Sequence, residues 1–150
     1  MNTQDFNIVH ITDFYERDKI YLCSNEDGYK CHLKSNPGMV ENIGKYGQQI
    51  KPIFDVDAYE VEPDINEIIA DINKIFPGKS VNYAKREPRD YKGKMKYSYR
   101  FYIDGVRITS KNLKALSIEN KINKNPIYDM SIYDKNKVLF IPFTTKKWQC

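Results

Sequence analysis

The chain has 150 residues, 41% hydrophobic and 13% aromatic, which suits one domain with a real core. Net charge is only +4, from 24 Lys and Arg against 20 Asp and Glu, so the distribution of charge matters more than its total. Three cysteines with no tight pair argue against a disulfide framework. No apolar stretch approaches transmembrane length and the N-terminus lacks a signal-peptide pattern, so the expectation is a soluble, intracellular protein without a membrane partner.

Residues 1–50 read as an irregular leading α/β unit. "NIVHITDFY" and "DKIYLCS" have strand character, "NEDGYKCHL" is a turn into another, and "KSNPGMVENIGKYGQQ" reads as a loop with at most a short helix. From Pro52 the pattern is cleaner. Residues 52–60 predict a strand. Pro63 and Asp64 open a helix, because proline fits a first turn and an acid suits its positive end. Ile65, Ile68, Ile69, Ile72, Ile75 and Phe76 follow as one apolar stripe, and Pro77 and Gly78 stop it.

Residues 80–86 predict a second strand, 95–103 a third, and Asp104 and Gly105 a turn. Between them, residues 83–100 carry seven basic and two acidic residues with interspersed tyrosines. Taken as a charge run, this is a solvated loop; with the tyrosines it suits polyphosphate or nucleic acid. "SKNLKALSIENKI" predicts a second helix capped by Ser110. Residues 126–133 and 137–143 read as a fourth strand with a hairpin partner. The fold class is therefore α+β, with a core over residues 52–143 of βαββαβ order. That is the split βαβ arrangement of ferredoxin-like and RNA-recognition-motif-like folds, in which the first and third strands are central.

Strand alternation sorts the side chains. Phe54, Val56 and Ala58 point one way and Asp55 and Asp57 the other. Tyr97, Tyr99, Phe101 and Ile103 form one row; Ser98, Arg100 and Tyr102 form the other. The apolar rows cover the helices, so the polar rows meet on the open face, where Asp129 flanks the aspartate pair. Two carboxylates inside an apolar strand are costly unless something cationic meets them. Carboxylate oxygens match Mg²⁺ or Mn²⁺, and two such ions about 4 Å apart clamp a phosphoryl transfer. An arginine and a serine suit the phosphates of a nucleotide.

"FDVDAYE", "YSYRFYI" and "YDMSIYDKNK…TTKK", in that order, resemble the three motifs of the archaeo-eukaryotic primase superfamily, in the manner of primases and primase-polymerases of large eukaryotic DNA viruses. The resemblance covers residues 50–147 and implies a primase-polymerase catalytic domain, with residues 1–50 as the variable leading unit and 51–150 as the core. It implies a template-directed nucleotidyltransferase of DNA replication. Asp55, Asp57 and Asp129 would hold the metals. Ser98, Arg100, Lys135, Lys137 and Lys146 would contact the incoming NTP or dNTP. Lys85, Arg86, Arg89, Lys92 and Lys94 of the basic run would face single-stranded DNA. A helicase domain or subunit would be the protein partner, and a viral replication compartment the setting. The sequence departs from the family in carrying Arg100 where histidine is usual, Lys137 for an arginine and Phe140 for another. It stops at Cys150, soon after the third motif, which reads as a minimal or truncated unit.

The alternative within the same fold is a non-catalytic remnant that binds nucleotide or single-stranded nucleic acid. A D-x-D glycosyltransferase would need several βαβ units of about 30 residues each before the motif, and the leading 50 residues are too few. A zinc site at Cys23, Cys31 and His32 lacks an evident fourth ligand. His10 lies far from the motifs, Trp148 reads as a packing residue, and no Gly-rich phosphate loop is present.

Overall fold

A computed structural model describes residues 11–13, 20–21, 39–42, 49–134, 138–140 and 148–149, with side chains for 49–134. Together they form a mixed α+β fold with antiparallel sheets and two α-helices. No helix among the described residues is long and apolar enough to cross a membrane.

The strand β5 (Ile53–Tyr59) lies antiparallel to β8 (Lys94–Ile103), and β8 also pairs with β6 (Val81–Arg86). The sheet runs β11-β6-β8-β5, where β11 is Trp148–Gln149. The predicted first and third strands are thus neighbours. Phe54, Val56 and Ala58 are buried with Tyr99, Phe101 and Ile103 against helix α1 (Ile65–Ile75), which contributes Ile68 and Ile72. Phe76, at the helix's C-terminal cap, joins the same core. Ile65, Ile69 and Ile75 pack at its border, so the isoleucine stripe is the buried face of α1. Asp64 is the cap of this helix, its side chain accepting from the Asn66 amide at 2.9 Å. Pro63 therefore precedes the helix. Gly78, at φ +72°, lets the chain turn away after it.

Helix α2 (Ser110–Glu119) buries Leu113 and Ser117. Its cap is Thr109 rather than the expected Ser110: the Thr109 hydroxyl accepts from Asn112 N at 3.2 Å. Thr109 closes the short strand β9 (Ile108–Thr109), which pairs with β4 (Gln49–Ile50), so its backbone is already extended as a cap requires. Nearby, buried Lys51 meets Asp104 at 2.8 Å, and Asp104 also accepts from Asn82 at 2.7 Å, tying the entry of β5 to the exit of β8.

Four segments differ from the sequence reading. The loop around residue 40 contains strand β3 (Met39–Asn42), which pairs with β1 (Ile11–Asp13) and with β10 (Val138–Phe140); β1 also pairs with β2 (Ile20–Tyr21). Its pairing comes from distant segments, which no local pattern reveals. The same pairing overturns the hairpin between residues 126–133 and 137–143, because β10 joins β3 instead. Residues 126–133 are not a strand. They touch β5 through one bridge, Val56 to Tyr128, then curl into a 3-10 turn over Met130–Tyr133. The Asp129 side chain caps that turn and draws the chain out of extension.

The basic loop, finally, folds on itself. The strand β7 (Arg89–Tyr91) pairs with the start of β8 around Lys92 and Gly93, at φ 54° and 84°. Positive φ at both central residues is the two-residue hairpin turn that matches strand twist. Asp90 Oδ1 accepts from Gly93 N at 3.2 Å and closes it.

Candidate functional site

The β5–β8 register sets the site. Asp55 lies directly across from Arg100, and Asp57 across from Ser98. Arg100 Nε donates to Asp55 Oδ1 at 3.3 Å. Ser98 Oγ donates to Asp57 Oδ1 at 2.5 Å. On the other side of β5, Asp57 N donates to the Ile127 carbonyl at 2.8 Å and Asp129 N to the Asp55 carbonyl at 2.9 Å. These two main-chain bonds carry Asp129 to the flank of Asp55. Carboxylate oxygens of Asp55, Asp57 and Asp129 all lie within 4.8 Å of one another, close enough to hold a metal ion. Asp129 Oδ1 also accepts from Ser131 N at 3.0 Å and Ser131 Oγ at 2.6 Å.

The polar face is less open than the alternation implied. Ser98 and Arg100 are each only 3% exposed, and Tyr102 is fully buried. The 3-10 turn adds Ile132 and Tyr133 to the core, and the Tyr133 hydroxyl donates to the Ile53 carbonyl at 2.7 Å. Asp55 and Asp57 keep side-chain exposures of 15% and 30%. Burial pushes the Asp55 carboxyl above its usual range; Arg100 opposes this, while Asp57 and Asp129 add to it. The Tyr133 hydroxyl is likewise raised by burial.

Around the aspartates stands a ring of cations. Lys96 Nζ lies 3.8 Å from Asp57 Oδ1. Arg89 Nη2 donates to Ser98 Oγ at 3.0 Å, so Ser98 relays between Arg89 and Asp57. The Nη1 of Arg89 is buried with no hydrogen-bond acceptor among the described residues. The Arg86 guanidinium is lowered in pKa, first by burial and then by Arg89, with Arg100 adding and Asp57 and Asp55 opposing. Three arginines thus converge beside three carboxylates.

Of the residues singled out in the sequence, Asp55, Asp57, Asp129, Ser98 and Arg100 come together. Arg86 and Arg89, expected on a separate basic loop, stand inside the same cluster. Lys85 pairs with Tyr99 and so lies on the helix side of the sheet, away from it. Lys92 and Lys94 are exposed on the β7–β8 hairpin. Lys135, Lys137 and Lys146 lie outside the described residues, as do Cys23, Cys31, Cys150, His10 and His32; Phe140 and Trp148 are described in backbone only. Lys96 was missed. Its parity with Ser98 and Arg100 was legible, but its distance to Asp57 was not.

Compared with known proteins, the chain matches no family model and no curated sequence.

Proposed function

We propose that this face carries out template-directed nucleotidyl transfer, as a primase or primase-polymerase using two divalent cations, Mg²⁺ or Mn²⁺. One observation carries the reading: three carboxylates within 4.8 Å of each other, with Ser98 and Arg100 paired across the strands to two of them. An all-carboxylate donor set fits hard, oxygen-seeking ions. Burial raises the Asp55 carboxyl, and a bound cation would favour its ionised form. The strand neighbours β6-β8-β5, with residues 127–129 bridged to the outer edge of β5, support an RNA-recognition-motif-like βαββαβ core.

In the proposed reaction a primer 3′-hydroxyl attacks the α-phosphate of a nucleoside triphosphate. The new P–O bond forms as the α–β anhydride bond breaks, pyrophosphate leaves, and the hydroxyl proton passes to solvent. When bound, the metals would supply Lewis-acid stabilisation of the attacking and leaving oxygens. Asp55, Asp57 and Asp129 would hold them. With the carboxylates holding metals, Arg100, Arg89 and Lys96 would balance phosphate charge, and Ser98 would donate to a phosphate oxygen. The Nη1 of Arg89, without an acceptor among the described residues, is one donor suited to that role.

The test is incorporation of labelled nucleotide on a single-stranded template with Mg²⁺ or Mn²⁺, offering ribo- and deoxyribonucleotides with and without primer. Asp55→Ala or Asp57→Ala should lower it about a thousandfold or more, since several kcal/mol of transition-state stabilisation would go. Wild-type rates in either variant would sink the assignment.

A second reading is a nucleotide- or single-strand-binding domain without chemistry. It is favoured by the partners each aspartate already has within the chain: Arg100 for Asp55, Ser98 and Lys96 for Asp57, Ser131 for Asp129. Binding of single-stranded DNA by the metal-loaded protein, with no incorporation under any condition, would select it.

A further inference from the structure

The face that holds the aspartates continues past them. Alternation along β5 puts Tyr59 in line with Asp55 and Asp57, one repeat further on, about 7 Å from Asp57 by strand rise. Its cross-strand partner is Lys96. Lys96 in turn faces Arg89 of β7, and Tyr91 stands opposite Lys94. Tyr59 and Tyr91 therefore converge from two strands on either side of Lys96.

Their rings lie 6.1 Å apart at 46°. Both stay open to solvent, at 44% and 43% exposure. Lys96 Nζ sits 4.7 Å from the Tyr91 centroid and 5.7 Å from that of Tyr59, and Lys92 Nζ sits 5.3 Å from Tyr91. The nearest acid on the hairpin, Asp90, is engaged in closing the turn. Exposed aromatic faces interleaved with lysines are the composition that binds single strands: a ring offers every base a stacking partner and a lysine meets the phosphate. A duplex, with its bases already stacked, could use only the charges.

We propose that Tyr59 and Tyr91 form a base-stacking seat for single-stranded nucleic acid, with Lys92, Lys94 and Lys96 meeting its phosphates. That the strand leads from this seat to the aspartates rests on the nucleotidyl-transfer reading; the seat itself does not. Lys96 touches both regions, since its ammonium lies over the two rings and within 3.8 Å of Asp57. The structural alternative is that the ring pair only staples β7 to β5.

The experiment is fluorescence anisotropy with the full chain in EDTA at one fixed low salt concentration. The probes are a labelled oligothymidylate and a matched abasic oligomer. Oligothymidylate should bind the unaltered protein about five- to a hundredfold more tightly than the abasic strand. Tyr59→Ala or Tyr91→Ala should remove most of that difference while leaving abasic binding unchanged, and Tyr59→Phe or Tyr91→Phe should keep it. Equal binding of the two oligomers by the unaltered protein would overturn the seat, and needs no variant to fold. So would alanine variants that bind oligothymidylate normally, or that weaken both probes together with a lower melting temperature, as a staple would. A base-dependent difference without nucleotide incorporation leaves the seat standing and removes the chemistry. Incorporation without that difference does the reverse.

Discussion

The two faces of β5 are built from one heptapeptide and obey different physics. Phe54 and Val56 meet Tyr99, Phe101 and the isoleucines of α1, where each buried methylene contributes about 0.8 kcal/mol and no partner needs to be named. Asp55 and Asp57 meet Arg100, Ser98 and Lys96 at fixed distances, and Asp55 remains disfavoured as an anion all the same. The first face holds the strand in place. The second is held there by it, at a cost in charge burial that the apolar face offsets. The core and the candidate site thus share a backbone but not a set of contacts, and substitutions should separate them.

The largest separation in stability should come from Phe101, which is fully buried on the helix side and lies across from Phe54. Phe101→Ala should cost about 3–5 kcal/mol in urea unfolding. A loss below about 1 kcal/mol would mean that the apolar face does not anchor the strand.

The polar face should show itself in pH dependence. The folded Asp55 carboxyl titrates above its unfolded value of 3.8. Between those two values the native state binds more protons than the unfolded one, so this group's contribution to stability falls as pH rises through that window. In EDTA, unfolding free energy measured against pH should carry that decline in the unaltered protein, and Asp55→Asn should lack it. Added Mg²⁺ should flatten it, because a cation favours the ionised form. Parallel curves for the two proteins would break the distinction between the faces.

The smallest effect should come from a residue that serves neither face. Asp64→Ala removes the α1 cap and should cost about 1 kcal/mol, with no change in metal or nucleotide binding. A binding defect in that variant would show that the site depends on the helix start.

Much of this was legible before any coordinates. The alternation in "FDVDAY" and "YSYRFYI" determines which side chains face each other, and the isoleucine spacing determines what α1 buries. The register that puts Asp55 across from Arg100 did not follow, because a slip of two residues leaves every side chain on the same face. Other parts depended on competition that a local reading cannot weigh. "PIYDMSIY" has strand composition, but Asp129 bonds to Ser131 and bends it into a 3-10 turn. Three-residue β7 is too short to show any period, so the contact of Arg89 with Ser98 was hidden inside a charge run. The pairing of β3 with β1 and β10 joins segments some 30 and 100 residues away, which no window spans.

The single bridge between Val56 and Tyr128 has a bearing on tolerance. Its two main-chain hydrogen bonds, Asp57 N to the Ile127 carbonyl and Asp129 N to the Asp55 carbonyl, close a ring of main chain to which the α-carbons of all three aspartates are directly attached. Carboxylate spacing is then dictated by skeleton rather than by side-chain adjustment. Aspartate and glutamate, interchangeable on a pliable loop, are not equivalent here. An added carbon–carbon bond of roughly 1.5 Å would carry the charge past its neighbours with no slack to absorb the overshoot.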